Sequence, residues 1–379
     1  MTAASEQAWK WTAGGKIRAR GLGLLLPGRS GRFNAITDVA GVEVGTTTLI
    51  SGEGPLVVGH GPVRTGVTAI LPRGKTAPSV SCAAGSYCLN GNGEMTGLAW
   101  IEETGALDSP IVITNTQSCG VARDAVAQWM VSRRGDGQQP WALPVAAETF
   151  DGDLNDIDGF HVTRKHVFAA LDCANGGTME LGNVGGGTGM ITYDFKGGTG
   201  GSSRLVEIEG ETFTLGVLVQ SNFGRRGDLT VLGVPVGQHI AHDRLRGKDQ
   251  GSIIAIVATD APLMPHQLKR LARRVPLGLA RTGAIGGHSS GDIFLAFSTA
   301  NADGYGKSGA RRVFDCLADD AMDGLFRGVV EGVEEAVIDA MVCGETMTGR
   351  DGNRSISLPH GDLLALLARH GRIAPTGTA

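Results

Sequence analysis

Charge is scarce and nearly balanced in this chain. Charged residues make up 19% of its 379 residues and the formal net charge is −4. No basic face is available for a phosphate backbone or an anionic lipid surface, so neither nucleic acid nor membrane is expected as a partner. Long apolar runs are missing as well: residues 1–16 hold no apolar signal-type core, and Leu22 to Leu26 is too short for a signal peptide or a membrane span. The six cysteines (82, 88, 119, 173, 316 and 343) form no CxxC pair. That spacing excludes a zinc finger, makes a disulfide scaffold a poor reading of so long a chain, and leaves reduced thiols in the cytoplasm as the expectation. The nine histidines form no HExxH, and His239 and His242 stand three apart without a third ligand, so no metal is expected. GxxxxGK[ST] is absent and no strand–GxGxxG–helix context is seen, so no nucleotide or other cofactor is expected. Internal repeats and low-complexity linkers are also lacking.

Glycine is what the chain has in excess, at 60 of 379 residues, about twice the average usage. Because apolar residues reach 41%, this is not the composition of a disordered glycine-rich chain. It suits packed sheets with tight turns and close backbone approaches. Strands are predicted over 36–50, 65–72, 111–114, 143–147, 214–220, 253–259 and 293–299, and helices over 119–134 and from Pro265 to a break near Pro276. Residues 310–342 read as two helices separated by Gly324, Gly328 and Gly332, and 361–370 as a last short one. Residues 225–250 read as a hairpin and an exposed charged linker (Arg244, Arg246, Lys248, Asp249). Strands and helices in comparable numbers favour a layered α/β domain.

The stretch with most chemical promise is Gly251-Ser252 followed by Ile253 to Ala258. The apolar run has no polar alternation, so it reads as a core strand buried on both faces, with Ser252 as its first residue. The Ser252 hydroxyl then lies close to the Gly251 carbonyl. If it attacks, the peptide rearranges to an ester, water cleaves it, and Ser252 becomes a new N-terminus. The free amine, with an ordinary pKa of roughly 8, can act as base for the hydroxyl beside it. Two more polar clusters stand at strand ends, Ser221-Asn222 and Ser289-Ser290-Gly291-Asp292. Asn222 can donate an amide N–H to an oxyanion, and Asp292 can orient Ser290 or hold the α-ammonium of Ser252. His288 beside Ser289 invites a Ser-His-Asp reading, but no GxSxG elbow is expected in the chain.

Several segments in order resemble one family. They are Phe33 to Val42, the turn Leu89-Asn90-Gly91-Asn92-Gly93-Glu94-Met95-Thr96-Gly97, Thr114-Asn115-Thr116, Ala147 to Gly152, Asn183 to Met190, Phe195 to Gly198, and Gly251 through Leu263. Together they are similar to the DmpA/BapA family of self-processing serine hydrolases, peptidase family S58, which holds L-aminopeptidase/D-esterases and β-aminopeptidases. The resemblance runs from about residue 18 to about residue 300. It implies a four-layer αββα sandwich like that of N-terminal-nucleophile (Ntn) hydrolases. It also implies a single domain over 1–379, cut into an α-chain, 1–251, and a β-chain, 252–379.

By the same resemblance Ser252 is the nucleophile, Ser290 and Asp292 support it, and Asn222 with a backbone N–H at Ser290 or Gly291 holds the oxyanion. Glu148 binds the free amine of a small peptide or amide substrate, and Trp141 lines the pocket. Phe150 stands where a tyrosine is expected, which removes one hydroxyl donor. Lys196 is a further candidate near the nucleophile by analogy with nylon-oligomer hydrolases. A homotetramer of αβ units is implied too. The rivals are an ω-amino-acid oligomer amidase, an acyltransferase like ornithine acetyltransferase (whose nucleophile is threonine), and an inactive binding homologue.

Overall fold

The computed structural model describes residues 7–78, 80–133, 141, 143–246, 251–306 and 310–374. Its strands, in chain order, are β1 (Glu43–Ser51), β2 (Val63–Leu71), β3 (Cys82–Cys88), β4 (Ala106–Leu107), β5 (Ile111–Asn115), β6 (Val145–Thr149) and β7 (Ile191–Thr192). They continue with β8 (Phe195–Lys196), β9 (Gly198–Ile208), β10 (Glu211–Asn222), β11 (Ser252–Thr259), β12 (Ile293–Ser298), β13 (Met347–Thr348) and β14 (Arg354–Ser355). The helices are α1 (Leu98–Thr104), α2 (Cys119–Ser132), α3 (Arg164–Asp172), α4 (Val236–His239), α5 (Pro265–Ala272), α6 (Val275–Arg281), α7 (Ala302–Gly306), α8 (Asp323–Val342) and α9 (His360–Arg369).

Two sheets carry the architecture. One has the order β1-β2-β5-β6 and the other β4-β3-β12-β11-β10-β9. Strand alternation assigns each face to a layer. In β11, Ile254, Ile256 and Ala258 join Ile70, Ile111, Ile113, Val145 and Ala147 in a core between the sheets. Ile253, Ala255 and Val257 point the other way, into a core shared with Leu268, Leu271, Leu279, Val333 and Val337 from α5, α6 and α8. Across the four-stranded sheet, Val67, Ala69, Val112 and Ala146 meet Ala122, Val126, Trp129, Val167 and Leu171 from α2 and α3. Helix, sheet, sheet, helix: the fold is the expected αββα sandwich.

One strand joins those expected, and three expectations change. The glycine-dense stretch after Lys196 is strand β9. A Cβ at Gly200 would collide with the Ala336 carbonyl of α8, so glycine there lets the helix lie directly on the strand. Residues 323–342 form one helix rather than two. Gly332 faces Val217 and Ser202, with a built Cβ 3.0 Å from Val217, so it serves close approach and not a break. Residues 225–246 hold no hairpin. They contain a 3-10 turn at Arg226–Asp228, a lone bridge between Val231 and Val234, and α4. Arg244 is exposed as expected, but the Arg246 side chain is only 5% exposed, and Lys248 and Asp249 lie outside the described residues.

Helix α8 also carries buried acids into the outer core. Arg18 donates to Asp339 Oδ2 through Nε (2.9 Å) and Nη2 (2.7 Å). Glu335 accepts from Arg20 Nε and Nη2 and from Arg204 Nη2, each at 2.8 Å. Burial alone would raise the Glu335 carboxyl, but the Arg204 and Arg20 guanidinium groups overcome it and hold the pKa at about 2. Removing one partner of such a cluster strands buried charge. Glu335→Gln is therefore expected to cost about 3–5 kcal/mol in urea unfolding at pH 7. The folded-state pKa lies below the unfolded one, so the contribution is full above the ordinary carboxylate value of about 4.3 and fades as pH falls toward about 2. The gap between wild type and Glu335→Gln should narrow over that window.

Candidate active site

Strand β11 begins at Ser252, and its antiparallel partner β10 ends at Asn222, the two residues being register partners. The nucleophile candidate and the oxyanion candidate are thus set side by side by ladder geometry. A Cβ at Gly251 would run into the Asn222 carbonyl, so only glycine fits directly before Ser252. Strand β12 lies parallel to β11 on its other side, with Ile254 opposite Ile293. That register brings the loop before β12 against the start of β11. Gly291 N–H donates to Ser252 Oγ at 2.9 Å. Ser290 Oγ donates to Asp292 Oδ1 at 2.6 Å, and the same oxygen accepts from Ile253 N at 3.2 Å. Ser252, Ser290 and Asp292 are all buried, at 6%, 2% and 4% exposure. The Ser290 N–H is committed to the Gly287 carbonyl at 3.1 Å. Of the two backbone donors named as oxyanion candidates, Gly291 is the one aimed at Ser252.

Gly287-His288-Ser289-Ser290-Gly291 does spell GxSxG, contrary to expectation. It sits in an irregular loop ahead of β12, however, not on a strand-to-helix turn, so it is no nucleophile elbow.

Asn222 is fully buried. Its Nδ2 donates to the Phe150 carbonyl at 2.8 Å, while its Oδ1 accepts from Ile191 N at 2.9 Å and Arg246 Nη2 at 3.2 Å. Residue 150 therefore reaches the site through its backbone. Its ring is 42% exposed and folds over Gly152, where a built Cβ would strike it. Lys196 is no surface lysine: it is fully buried, and Nζ donates to the Met190 carbonyl at 2.7 Å and the Gly197 carbonyl at 2.8 Å. Burial pushes its pKa well below the usual lysine range. The Met190–Ile191 peptide that it grips is the one whose N–H holds Asn222.

Glu148 is the next-to-last residue of β6, opposite Thr114 of β5. Glu94 N–H donates to its Oε1 at 2.9 Å, and Thr116 Oγ1 donates to its Oε2. Burial raises its pKa, against those two hydrogen bonds. A Cβ built on Gly93 would lie 3.0 Å from Gly291 Cα and 3.2 Å from Glu148 Oε1. Gly93 is thus a thin spacer between the acid and the serine loop. Trp141 is 67% exposed, and its ring lies against Trp100 at 5.9 Å between centroids. It stands at the surface beside α1.

Three contributors gave no signal of their own in the sequence. Asn90 grips Asp292 from both sides, accepting from Asp292 N at 2.6 Å and donating to Oδ2 at 3.1 Å. Thr116 holds Glu148, and Arg246 holds Asn222. Each belongs to a segment remote in sequence from the residue it orients, and a lone Asn, Thr or Arg in a turn-rich stretch has many ordinary uses.

A buried serine with a backbone donor on its oxygen, a carboxylate-held second serine, a fixed amide and a separate buried acid form a set for acyl transfer from a cationic substrate. The profile of peptidase family S58 matches residues 34–355, and the chain belongs to that family. It is 48% identical over 372 residues to the β-peptidyl aminopeptidase BapA of Sphingosinicella microcystinivorans, spanning 94% of this chain and 93% of that protein. The L-aminopeptidase D-Ala-esterase/amidase of Ochrobactrum anthropi, described as a variant of the Ntn-hydrolase fold, superposes with a TM-score of 0.89 at 49% identity, covering 94% of this chain and 99% of that one. A Burkholderia β-aminopeptidase gives 0.86 at 45% identity, covering 95% of this chain and 100% of that one. The chain is an enzyme, a peptidase of the aminopeptidase kind. The oligomer-amidase, acyltransferase and inactive-homologue alternatives gain no support from these relatives.

Gly291→Ala tests the backbone donor. Its Cβ would fall 2.5 Å from the Asn92 carbonyl and 2.6 Å from Gly93 Cα, so the loop must shift and its N–H with it. Loss of one such donor is worth about 10²–10³ in rate. The expected outcome is a fall in kcat of at least about tenfold, with the far-ultraviolet dichroism unchanged.

Proposed function

We propose that the chain cuts itself between Gly251 and Ser252 and then acts as an N-terminal-serine aminopeptidase. The carrying observation is that Ser252 begins a fully buried strand with Asn222 beside it and Gly291 N–H on its oxygen. In processing, Ser252 Oγ bonds to the Gly251 carbonyl carbon, the C–N bond breaks, and the hydroxyl proton passes to the departing nitrogen. Water then hydrolyses the ester. The 1–251 and 252–379 chains stay together as one αββα unit.

In turnover, Glu148 pairs with the substrate ammonium, and the free Ser252 amine takes the proton as Oγ attacks the adjoining carbonyl. Gly291 N–H and Asn222 Nδ2 stabilise the oxyanion, the former moving over from Ser252 Oγ and the latter leaving the Phe150 carbonyl to do so. Ser290 and Asp292 hold the amine end of Ser252. The leaving group collects its proton from that amine, and water releases the acyl-enzyme. Short peptides, amides and esters are the substrates, and the β-aminopeptidase relatives support β-residues among those released. We read the assembly as a homotetramer of αβ units in the cytoplasm, the latter supported by six unpaired cysteines.

Ser252→Ala should give one full-length band on a denaturing gel and no amidase activity, and two bands would place the cut elsewhere. Glu148→Gln should lower kcat/KM for free-amine p-nitroanilides about a hundredfold, mostly through KM. Only the ionised acid pairs with ammonium, and burial raises the Glu148 pKa. Wild-type KM is therefore expected to climb on acidification before pH reaches the ordinary carboxylate range of about 4.3.

A further inference from the structure

Asn222 can serve an oxyanion only if its amide is held one way round, and the groups around its oxygen decide that. Both hydrogen bonds to Oδ1 come from groups that can only donate there, Ile191 N–H and the Arg246 guanidinium. A flipped amide would set its NH2 against two donors and its oxygen against the Phe150 carbonyl. We infer that Arg246 is a positioning residue for the oxyanion amide, fixing Asn222 so that Nδ2 faces the reaction and adding positive charge behind it. This rests on the reading of Asn222 as an oxyanion donor.

Arg246 is built for that task rather than passing by. Its side chain is 5% exposed and forms an ion pair with Asp153, with Nε 2.6 Å from Oδ2. Nη1 reaches the Ile191 carbonyl at 3.4 Å, so the guanidinium touches the same residue whose N–H shares the task. The main chain is tied down as well. Leu245 N and Arg246 N both donate to Asp194 Oδ1, at 3.0 and 2.9 Å. Asp194 is 2% exposed.

Its place in the chain gives the residue further meaning. Arg246 lies six positions before Ser252, so after the proposed cut it belongs to the tail of the α-chain. That tail is then part of the catalytic centre of the mature enzyme, not spent leader, and the centre is incomplete without it. An oxyanion also forms during processing, on the Gly251 carbonyl beside the same amide, so Arg246 serves both reactions.

The test is a double-mutant cycle on the full chain, read as the rate of processing and as kcat and KM on an aminoacyl p-nitroanilide. Arg246→Met is expected to lower kcat about 10- to 100-fold, with KM kept within about twofold, and to slow processing by a similar factor. Arg246→Lys should restore part of the loss. Placed on Asn222→Ala, Arg246→Met should add nothing, because its effect runs through that amide. Wild-type kcat in Arg246→Met, a loss confined to KM, or a loss that multiplies on Asn222→Ala would each overturn the assignment. A crippled Asn222→Ala beside an unaffected Arg246→Met removes the Arg246 role alone, whereas an unaffected Asn222→Ala removes the oxyanion reading beneath it too. If Arg246→Met does not accumulate as folded protein, Asp153→Asn loosens the guanidinium without deleting it. It is then expected to lower kcat about three- to tenfold at constant KM, and unchanged kcat there overturns the role.

Discussion

Strand β11 is packed on both faces, with three aliphatic side chains turned into each of the two cores. It cannot slip by one residue, since that would exchange the sets of side chains facing the inter-sheet core and the outer helices. Its first residue is therefore held by the core itself. Ser252 faces Asn222 across one ladder and the 290–292 loop across the other, because β10 and β12 are the neighbours of β11. The pairing of nucleophile and oxyanion amide needs no loop to assemble it. It inherits its precision from the least deformable part of the molecule.

Buried charge is arranged differently in the two halves of the sandwich. In the outer core, Glu335 is flanked by two guanidinium groups and kept ionised. At the inter-sheet edge, Glu148 accepts from an N–H and a hydroxyl among the described residues, and burial outweighs them so that its pKa rises. The first arrangement is self-sufficient. The second has no ion pair among the described residues, which suits the ammonium-binding role proposed for it. Lys196, by contrast, spends its donors on carbonyls and is disfavoured as a cation by burial. That suits a spacer that holds the Met190–Ile191 peptide better than a group that meets substrate.

Much of this was legible in the residues. The unbroken apolar run after Ser252 signals a two-sided strand, and the polar ends of β10, β11 and β12 point to the cluster that the sheet order assembles. What stayed hidden depends on distance in sequence. Nothing local to Asn90, Thr116 or Arg246 says which acid or amide each will orient. Glycine misled within α8: Gly332 looks like a break, yet it allows the helix to lie against the sheet, as Gly200 does from the strand side, and only the packed neighbour reveals that. Arg246 looks exposed from its charged setting, whereas Asp153 and Asp194 fold it inward.

The acids on α8 have one more consequence. Arg18, Arg20 and Arg204 all precede Ser252, while Glu335 and Asp339 follow it, so under the proposed cut every pair in that lattice would join one fragment to the other. The fragments could not drift apart a contact at a time, because each departing acid would abandon a guanidinium in a dry interior. A nicked polypeptide sealed in this way would behave in solution as though its backbone were whole, and would come apart only in a single concerted loss of structure.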